Sequence, residues 1–344
     1  MDIEFQTSKP IVRADVLAGE TPAGSAEGAG DRWRFSGVPA ETTTYFLVLT
    51  DAEGLSNRRP ERFTVRLVKD EPPTVRLALP GVGDMVTPDA VLPVELNATD
   101  ELGLAEVAVQ VASAAAANRP VALPLSGFEP RMKEFLAALN LPVTELAATA
   151  GETLTMSARG TDFNDVSGPG VTQSSPITLR VVTPEELAAD FARREQEYRA
   201  EFQRLVDQQE DVRRQLLTAA DKMDESTPPA DRSALLAPLE RRQRSLANAV
   251  GLLSQQFHRI VDEMRINRMD ALGVGDRILQ GIVDPLASLS TADMPDAAEL
   301  LKRGSREGGG EWEARADAGQ ARLLEQMRGI LSRMRETEGY HEAV

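Results

Sequence analysis

From Thr183 onward the apolar residues fall into rows seven apart, and that spacing constrains this chain more than any other feature. Phe191, Tyr198, Leu205, Val212 and Ala219 make one row, and Phe202, Leu216 and Met223 add a second. After Ser226-Thr227-Pro228-Pro229, which breaks the helix, Leu239, Leu246, Leu253 and Ile260 repeat at the same interval. Val250, Phe257 and Met264 each follow one of them by four residues. An apolar repeat of seven is the seam of long helices packed lengthwise, so these segments need a helical partner. Helices of about 40 residues run about 60 Å, and the short break between them predicts an antiparallel hairpin. The expected interaction seam is Phe191, Tyr198, Leu205, Val212, Leu239, Leu246, Leu253 and Ile260. The rows leave open whether it closes within one chain or against another protein or a second copy.

The start of the helical part is marked. Thr183-Pro184-Glu185-Glu186 offers Thr as N-cap, Pro at the first helical position and Glu at the third, a capping box. Composition changes at the same place. Residues 1–182 hold 15 of the 21 prolines and 39 charged residues; residues 183–344 hold 6 prolines and 53 charged residues. Strands and turns are therefore expected first and exposed helices second, without the alternation of a parallel α/β sheet. Farther on, 277–289 reads as helix with a kink at Pro285, 295–302 as a short helix, and Gly304–Gly310 as a flexible loop. The stretch 312–337 reads as a last helix with Leu323, Met327, Ile330 and Met334 on one face.

Before Thr183, short alternating runs recur between turn signals: 44–50, 62–68, 74–79, 91–97, 106–111 and 176–182. Many short strands with Pro and Gly turns predict a β-sandwich. Two stretches echo each other. Tyr45–Val68 and Leu154–Val182 each run strand, Thr-Asp, Gly-containing turn, Pro, strand, as the last hairpin of an immunoglobulin-like module would. Lys69-Asp70-Glu71-Pro72-Pro73 would be a stiff linker between modules. The expected fold is thus β then α. Residues 1–70 form a first module, short enough to be truncated at its start, and 71–182 a second. Residues 183–290 form the helical hairpin or coiled coil, and 291–344 a loop with a terminal helix in a small helical bundle.

Chemistry is sparse. The 344 residues include no Cys and only two His, His258 and His341. Thiolate metal sites and Cys catalysis are excluded. No HExxH, Walker A sequence, dinucleotide-binding glycine pattern or nucleophile elbow stands in its required context. A non-enzymatic chain is expected. The net charge of −16 argues against nucleic acid and anionic membrane as main partners. Arg-rich helix faces such as Arg241, Arg242 and Arg244 read as solvated flanks or a docking face for a partner helix. Three acidic turns, Asp51-Ala52-Glu53, Asp100-Glu101 and Asp162-Phe163-Asn164-Asp165, read first as Asx-turns at hairpin corners. Their oxygens also suit Ca²⁺, with Asp162, Asn164 and Asp165 as the candidate ligands. No other cofactor is expected.

Three runs of sequence are similar to known proteins. They are Ser174 to Leu187 (SSPITLRVVTPEEL) with Arg193-Arg194-Glu195-Gln196-Glu197, Thr99-Asp100-Glu101-Leu102-Gly103-Leu104, and 326–331 with 338–344. Together they resemble large uncharacterised membrane-anchored proteins of planctomycetes and related bacteria, which carry immunoglobulin-like modules before a long helical region. The resemblance implies an extracytoplasmic location, in the periplasm or cell envelope. It also implies a membrane anchor upstream that this sequence lacks and further helical sequence after Val344. It implies no activity and no functional residues. The expected role is a scaffold or spacer of the envelope, acting through a protein partner or self-association of the helices. The alternatives are an adhesin-like ligand-binding module with Ca²⁺ in its acidic loops, and a periplasmic adaptor of a transport system.

Overall fold

The computed structural model describes residues 1–67, 70–113, 121–123, 125–164, 168–224, 226–270, 273–307 and 310–338. Strands come first and helices second. Seven strands precede residue 66: β1 (Asp2–Gln6), β2 (Arg13–Ala18), β3 (Thr21–Ser25), β4 (Glu27–Ala29), β5 (Arg32–Ser36), β6 (Thr43–Thr50) and β7 (Glu61–Val65). They form two sheets, ordered β1-β5-β4 and β3-β2-β6-β7. Trp33 and Phe35 from one sheet meet Ala14, Val16, Tyr45 and Leu47 from the other in one core. Alternation drives this: in β5 only Trp33 and Phe35 are buried, so every second side chain points inward.

The second group is β8 (Thr74–Ala78), β9 (Met85–Val86), β10 (Val91–Thr99), β11 (Leu104–Ser113), β12 (Val121–Leu123), β13 (Glu134–Pro142), β14 (Thr153–Asp162), β15 (Val171–Gln173) and β16 (Ile177–Val181). Its sheets are β13-β10-β8 and β12-β11-β14-β16-β9, with β15 beside β14. All pairs are antiparallel except β16 with β9. The core residues of β10 are Leu92, Val94, Leu96 and Ala98. On β11 they change parity, from Leu104 to Val107, Val109 and Val111, because a bulge between Leu104 and Glu106 inserts one residue. The two groups share a plan. β1 corresponds to β10, β2 to β11, β5 to β13, β6 to β14 and β7 to β16. The hairpins that echo in sequence are β6–β7 and β14–β16.

Two residues after β16, α1 (Pro184–Ala220) begins. Thr183 Oγ1 accepts from Glu186 N, and Glu186 Oε2 accepts from Thr183 N, which closes the capping box. α2 (Pro229–Ile266) returns antiparallel, as Arg194 facing Glu263 and Gln209 facing Gln243 require. The next arm runs from 274 to 307 as α3 (Val274–Ile278), a π turn (Leu279–Val283), α4 (Asp284–Ser288), a second π turn (Leu289–Asp293) and α5 (Met294–Glu307). α6 (Gly310–Glu338) packs back along α1 and α5. Four arms thus stand up, down, up and down around a common core.

Two expectations need correction. The expected boundary at 290 falls inside the continuous 274–307 arm, and the two helices placed at 277–289 and 295–302 are one run. Pro285 and Pro295 each lack the N–H that an α-helix uses. In each case a π turn ends two residues earlier and absorbs the mismatch without breaking the arm. The loop expected at Gly304–Gly310 is mostly helix, since α5 runs to Glu307 and α6 starts at Gly310. Residues 308 and 309 lie outside the described set. Gly304 is a packing glycine: a Cβ there would run into the Trp312 ring, whose Nε1–H donates to Leu300 O at 2.6 Å.

Candidate functional site

Parity carries three carboxylates onto the inward face of their strands, at the strand ends. On β6 the inward set Tyr45, Leu47 and Leu49 continues to Asp51; on β10 Leu96 and Ala98 continue to Asp100; on β14 Met156 and Ala158 continue past Gly160 to Asp162. All three are buried, at 3%, 7% and 2% exposure. Each uses one oxygen to cap its own turn. Asp51 Oδ1 accepts from Glu53 N and Leu55 N, Asp100 Oδ2 from Leu102 N and Gly103 N, and Asp162 Oδ1 from Asn164 N and Gly170 N. The Asx-turn reading therefore describes these corners.

The second oxygens differ. Asp51 Oδ2 is met by the Lys9 ammonium, from the loop between β1 and β2. That hydrogen bond, helped by the Leu55 N–H, holds the Asp51 carboxyl below the usual range, and Asp51 in turn raises Lys9. The corresponding loop of the second sandwich, between β10 and β11, brings Asp100 and Glu101 instead. Asp100 Oδ1 and Asp162 Oδ2 are buried without a hydrogen-bond partner, and so is Oδ2 of Asp70 in the linker. Burial first, and then the charges of Asp162, Asp100 and Glu101, push the Asp70 carboxyl above its usual value. The linker lies over Asp162: Pro72 Cα is 3.0 Å from where a Gly170 Cβ would stand, and that Cβ would also clash with Asp162 Oδ2. The nearby Arg131 guanidinium is stacked over the Phe163 ring at 5.5 Å. Among the described residues, no three His, Asp or Glu side chains are gathered into a metal-holding group. Of the candidate ligands Asp162, Asn164 and Asp165, Asp162 is placed as above, Asn164 contributes its backbone N–H to Asp162, and Asp165 lies outside the described residues.

The seam residues face inward within one chain. Phe191, Leu205, Val212, Leu239, Leu246, Leu253 and Ile260 are all buried. Tyr198 is half-buried and packs edge-on against Phe257, with ring centroids 5.4 Å apart. Inside the seam lies a polar layer that the rows concealed. Gln209, Gln243 and Gln320, from α1, α2 and α6, are at most 1% exposed. Gln209 Nε2 donates to Gln243 Oε1 at 3.0 Å and to Gln320 Oε1; Gln243 Nε2 donates to Gln209 Oε1 at 2.9 Å; Gln320 Nε2 donates to Gln243 Oε1 at 3.0 Å. The signal was in the spacing: Gln209 falls midway between Phe202 and Leu216, Gln243 seven before Val250, and Gln320 seven before Met327. A satisfied polar layer fixes axial register, since sliding one helix would bury unpaired amides.

A second buried set joins the second sandwich to the helices. Thr87 N–H donates to Asn267 Oδ1 at 2.7 Å, Thr87 Oγ1–H to Asn267 O at 3.2 Å, and Asn267 Nδ2 to Glu263 O at 2.8 Å. Arg194 reaches both oxygens of Glu263 at 2.9 and 2.7 Å. Burial opposes the Arg194 charge, but Glu263 and Asp190 outweigh it and hold the guanidinium above its usual value. Gly83 is required here: a Cβ would stand 2.6 Å from Glu263 Oε2. Ile266 of α2 also packs against the sandwich core.

Among the described residues, no nucleophile–base pair accompanies either set. His258 is half exposed and lies 3.6 Å from Asp262 one turn on, and His341 is outside the described residues. No helix among the described residues is long and apolar enough to cross a membrane. No protein-family model matches the chain. No curated protein matches it either. Among solved structures, the chain is similar to fibronectin(III)-like modules of Clostridium thermocellum CbhA. The identity is 16% and the TM-score 0.21, over 53% of this chain and 86% of that one.

Proposed function

We propose that the chain is a non-enzymatic spacer or scaffold segment of a bacterial envelope protein, in which tandem immunoglobulin-like modules lead into a helical hairpin extended to four arms. One observation carries the reading. The second sandwich enters α1 after two residues and is tied to the far end of α2 by Thr87, Asn267, Gly83 and Glu263. A sandwich held at both strands of a helical hairpin transmits position and orientation, which a spacer needs and a single-chain enzyme does not. The closed seam favours binding through the outer helix faces over self-association. The resemblance of 174–187 to membrane-anchored planctomycete proteins supports an extracytoplasmic place.

Surface proteolysis of spheroplasts of the source cells tests the location: the protein should be cut while cytoplasmic markers survive. Protection together with those markers overturns the extracytoplasmic half. Light scattering tests the closed seam, which predicts a monomer of 37.3 kDa. A stable dimer that Leu246→Glu dissociates into folded monomers would instead make the seam an assembly interface.

A further inference from the structure

The two sandwiches place a buried aspartate at the same point of the same fold and then treat it differently. Where Asp51 Oδ2 receives the Lys9 ammonium, Asp162 Oδ2 receives no hydrogen bond and lies beneath the linker at Pro72. The corresponding loop supplies Asp100, and the linker between the sandwiches supplies Asp70. Asp162 and Asp100 are more than nine-tenths buried, and each is fixed by its turn so that one oxygen stays without a partner. Buried carboxylate oxygens are normally paired. Among the described residues neither oxygen receives a hydrogen bond, and the nearby Arg131 is stacked over Phe163.

We infer that Asp70, Asp100 and Asp162, with Glu101 at the rim, bind a calcium ion at the joint between the two sandwiches, in the place the Lys9 ammonium takes in the first. The ligand class follows from the donors. They are all oxygens, with no thiolate or imidazole nearby, which suits a hard cation. Ca²⁺ accepts six to eight oxygens in irregular geometry, whereas Mg²⁺ demands an octahedron. Asp100 and Asp162 are anchored by their turns, so Asp70 is the ligand that must move inward to enclose the ion. The linker is thereby drawn onto the second sandwich. The inference stands apart from the spacer reading and needs no assumption about location.

The test is thermal unfolding and calorimetric titration of the full chain, stripped with EDTA and dialysed, with CaCl₂ as the only additive and MgCl₂ as control. Binding in the 10⁻⁴–10⁻³ M class of extracellular calcium modules is expected. Millimolar Ca²⁺ should raise the midpoint by about 2–8 °C, through mass action on the folded state. Asp162→Asn and Asp70→Asn should each weaken Ca²⁺ binding at least tenfold, yet unfold no earlier than the parent in EDTA, because each removes a repelling charge. Asp70→Asn keeps the test open if Asp162→Asn misfolds. Asp51→Asn should leave the Ca²⁺ response unchanged. No shift or heat at 10 mM CaCl₂ overturns the proposal, as does a response that survives both variants. A chain stabilised only by acidification would mean that the cluster shares a proton, and the proposal falls.

Discussion

The two sandwiches share a strand plan but not a depth of construction. In the first, β1 pairs only with β5, and its inward residues Ile3 and Phe5 stay half-exposed. In the second, the matching β10 lies between β8 and β13, and Leu92, Val94, Leu96 and Ala98 are at most 2% exposed. Among the described residues, eight buried apolar residues form the first core and twenty the second. Among the described residues, the second is tied to the helices through Thr87 and Asn267. Covering one more edge of a sheet buries the strand next to it, so local stability should rise along the chain toward the bundle. The pole charges follow the same divide: the first sandwich pairs its buried aspartate with Lys9, and the second leaves one oxygen each of Asp100 and Asp162 without a hydrogen-bond partner.

The largest effect should separate the two cores. Leu96→Ala should destabilise by about 2–5 kcal/mol, as large-to-small changes in closed cores do. Because the second sandwich is joined to α2, chemical denaturation should show the sandwich and helical signals moving together. Leu47→Ala should shift only the earlier transition of the first sandwich. A single transition moved equally by both variants would break the comparison.

Next comes the tie itself. Asn267→Ala removes the acceptor for Thr87 N–H and the donor to Glu263 O, and buried unmade bonds cost about 1–3 kcal/mol. Hydrogen exchange at the Thr87 amide should quicken, with the inner strands of the second sandwich unaffected. Unchanged exchange at Thr87 would show that the two bodies are held by something else.

The Gln layer should respond at a similar scale. Gln243→Leu strands Gln320 Nε2 and Gln209 Oε1, leaves Gln209 Nε2 only its bond to Gln320, and should cost about 1–3 kcal/mol. Replacing all three by Leu should recover most of the loss. Equal losses in the single and triple variants, measured by urea midpoint, would mean that the amides contribute through something other than mutual pairing.

Much of this was readable beforehand, and the failures have specific causes. The capping box at Thr183 and the inward rows of α1 and α2 were legible because long amphipathic helices repeat their signal many times. The polar layer was missed because an amide inside an apolar row looks like a gap in the row. In sequence Gly304 reads as the start of a loop, yet it is there for the Trp312 ring, and no single sequence distinguishes those uses. The acidic turns were found, but Asp162 was grouped with its neighbours Asn164 and Asp165. The parity that turns Asp100 and Asp162 inward, and the linker that brings Asp70 to them, connect residues far apart in the chain.

The smallest effects are electrostatic. The Arg213 hydrogen bond holds the Asp317 carboxyl below its ordinary value. A lowered folded pKa adds stability above the unfolded pKa, near 3.8, and loses it as pH falls through the folded one. The pair is about one-third exposed, so Asp317→Asn should cost at most about 1 kcal/mol at pH 6. The gap should close as pH falls through the folded pKa of Asp317; a gap that persists once the carboxyl is protonated would assign the cost to packing. In the first sandwich, Lys9→Met should let the Asp51 carboxyl rise, as a carbon-detected NMR titration would read. An unmoved Asp51 would mean that its turn N–H donors, and not Lys9, hold it low.

The central claim is that the second sandwich and the helices move as one body. Because the chain has no Cys, two labels can be placed without background. Spin labels at Leu136→Cys on β13 and Leu252→Cys on α2, both exposed, would be measured by double electron–electron resonance. The account predicts one narrow distance distribution, unchanged by Ca²⁺ and broadened by Asn267→Ala. A broad or bimodal distribution in the parent chain would contradict it.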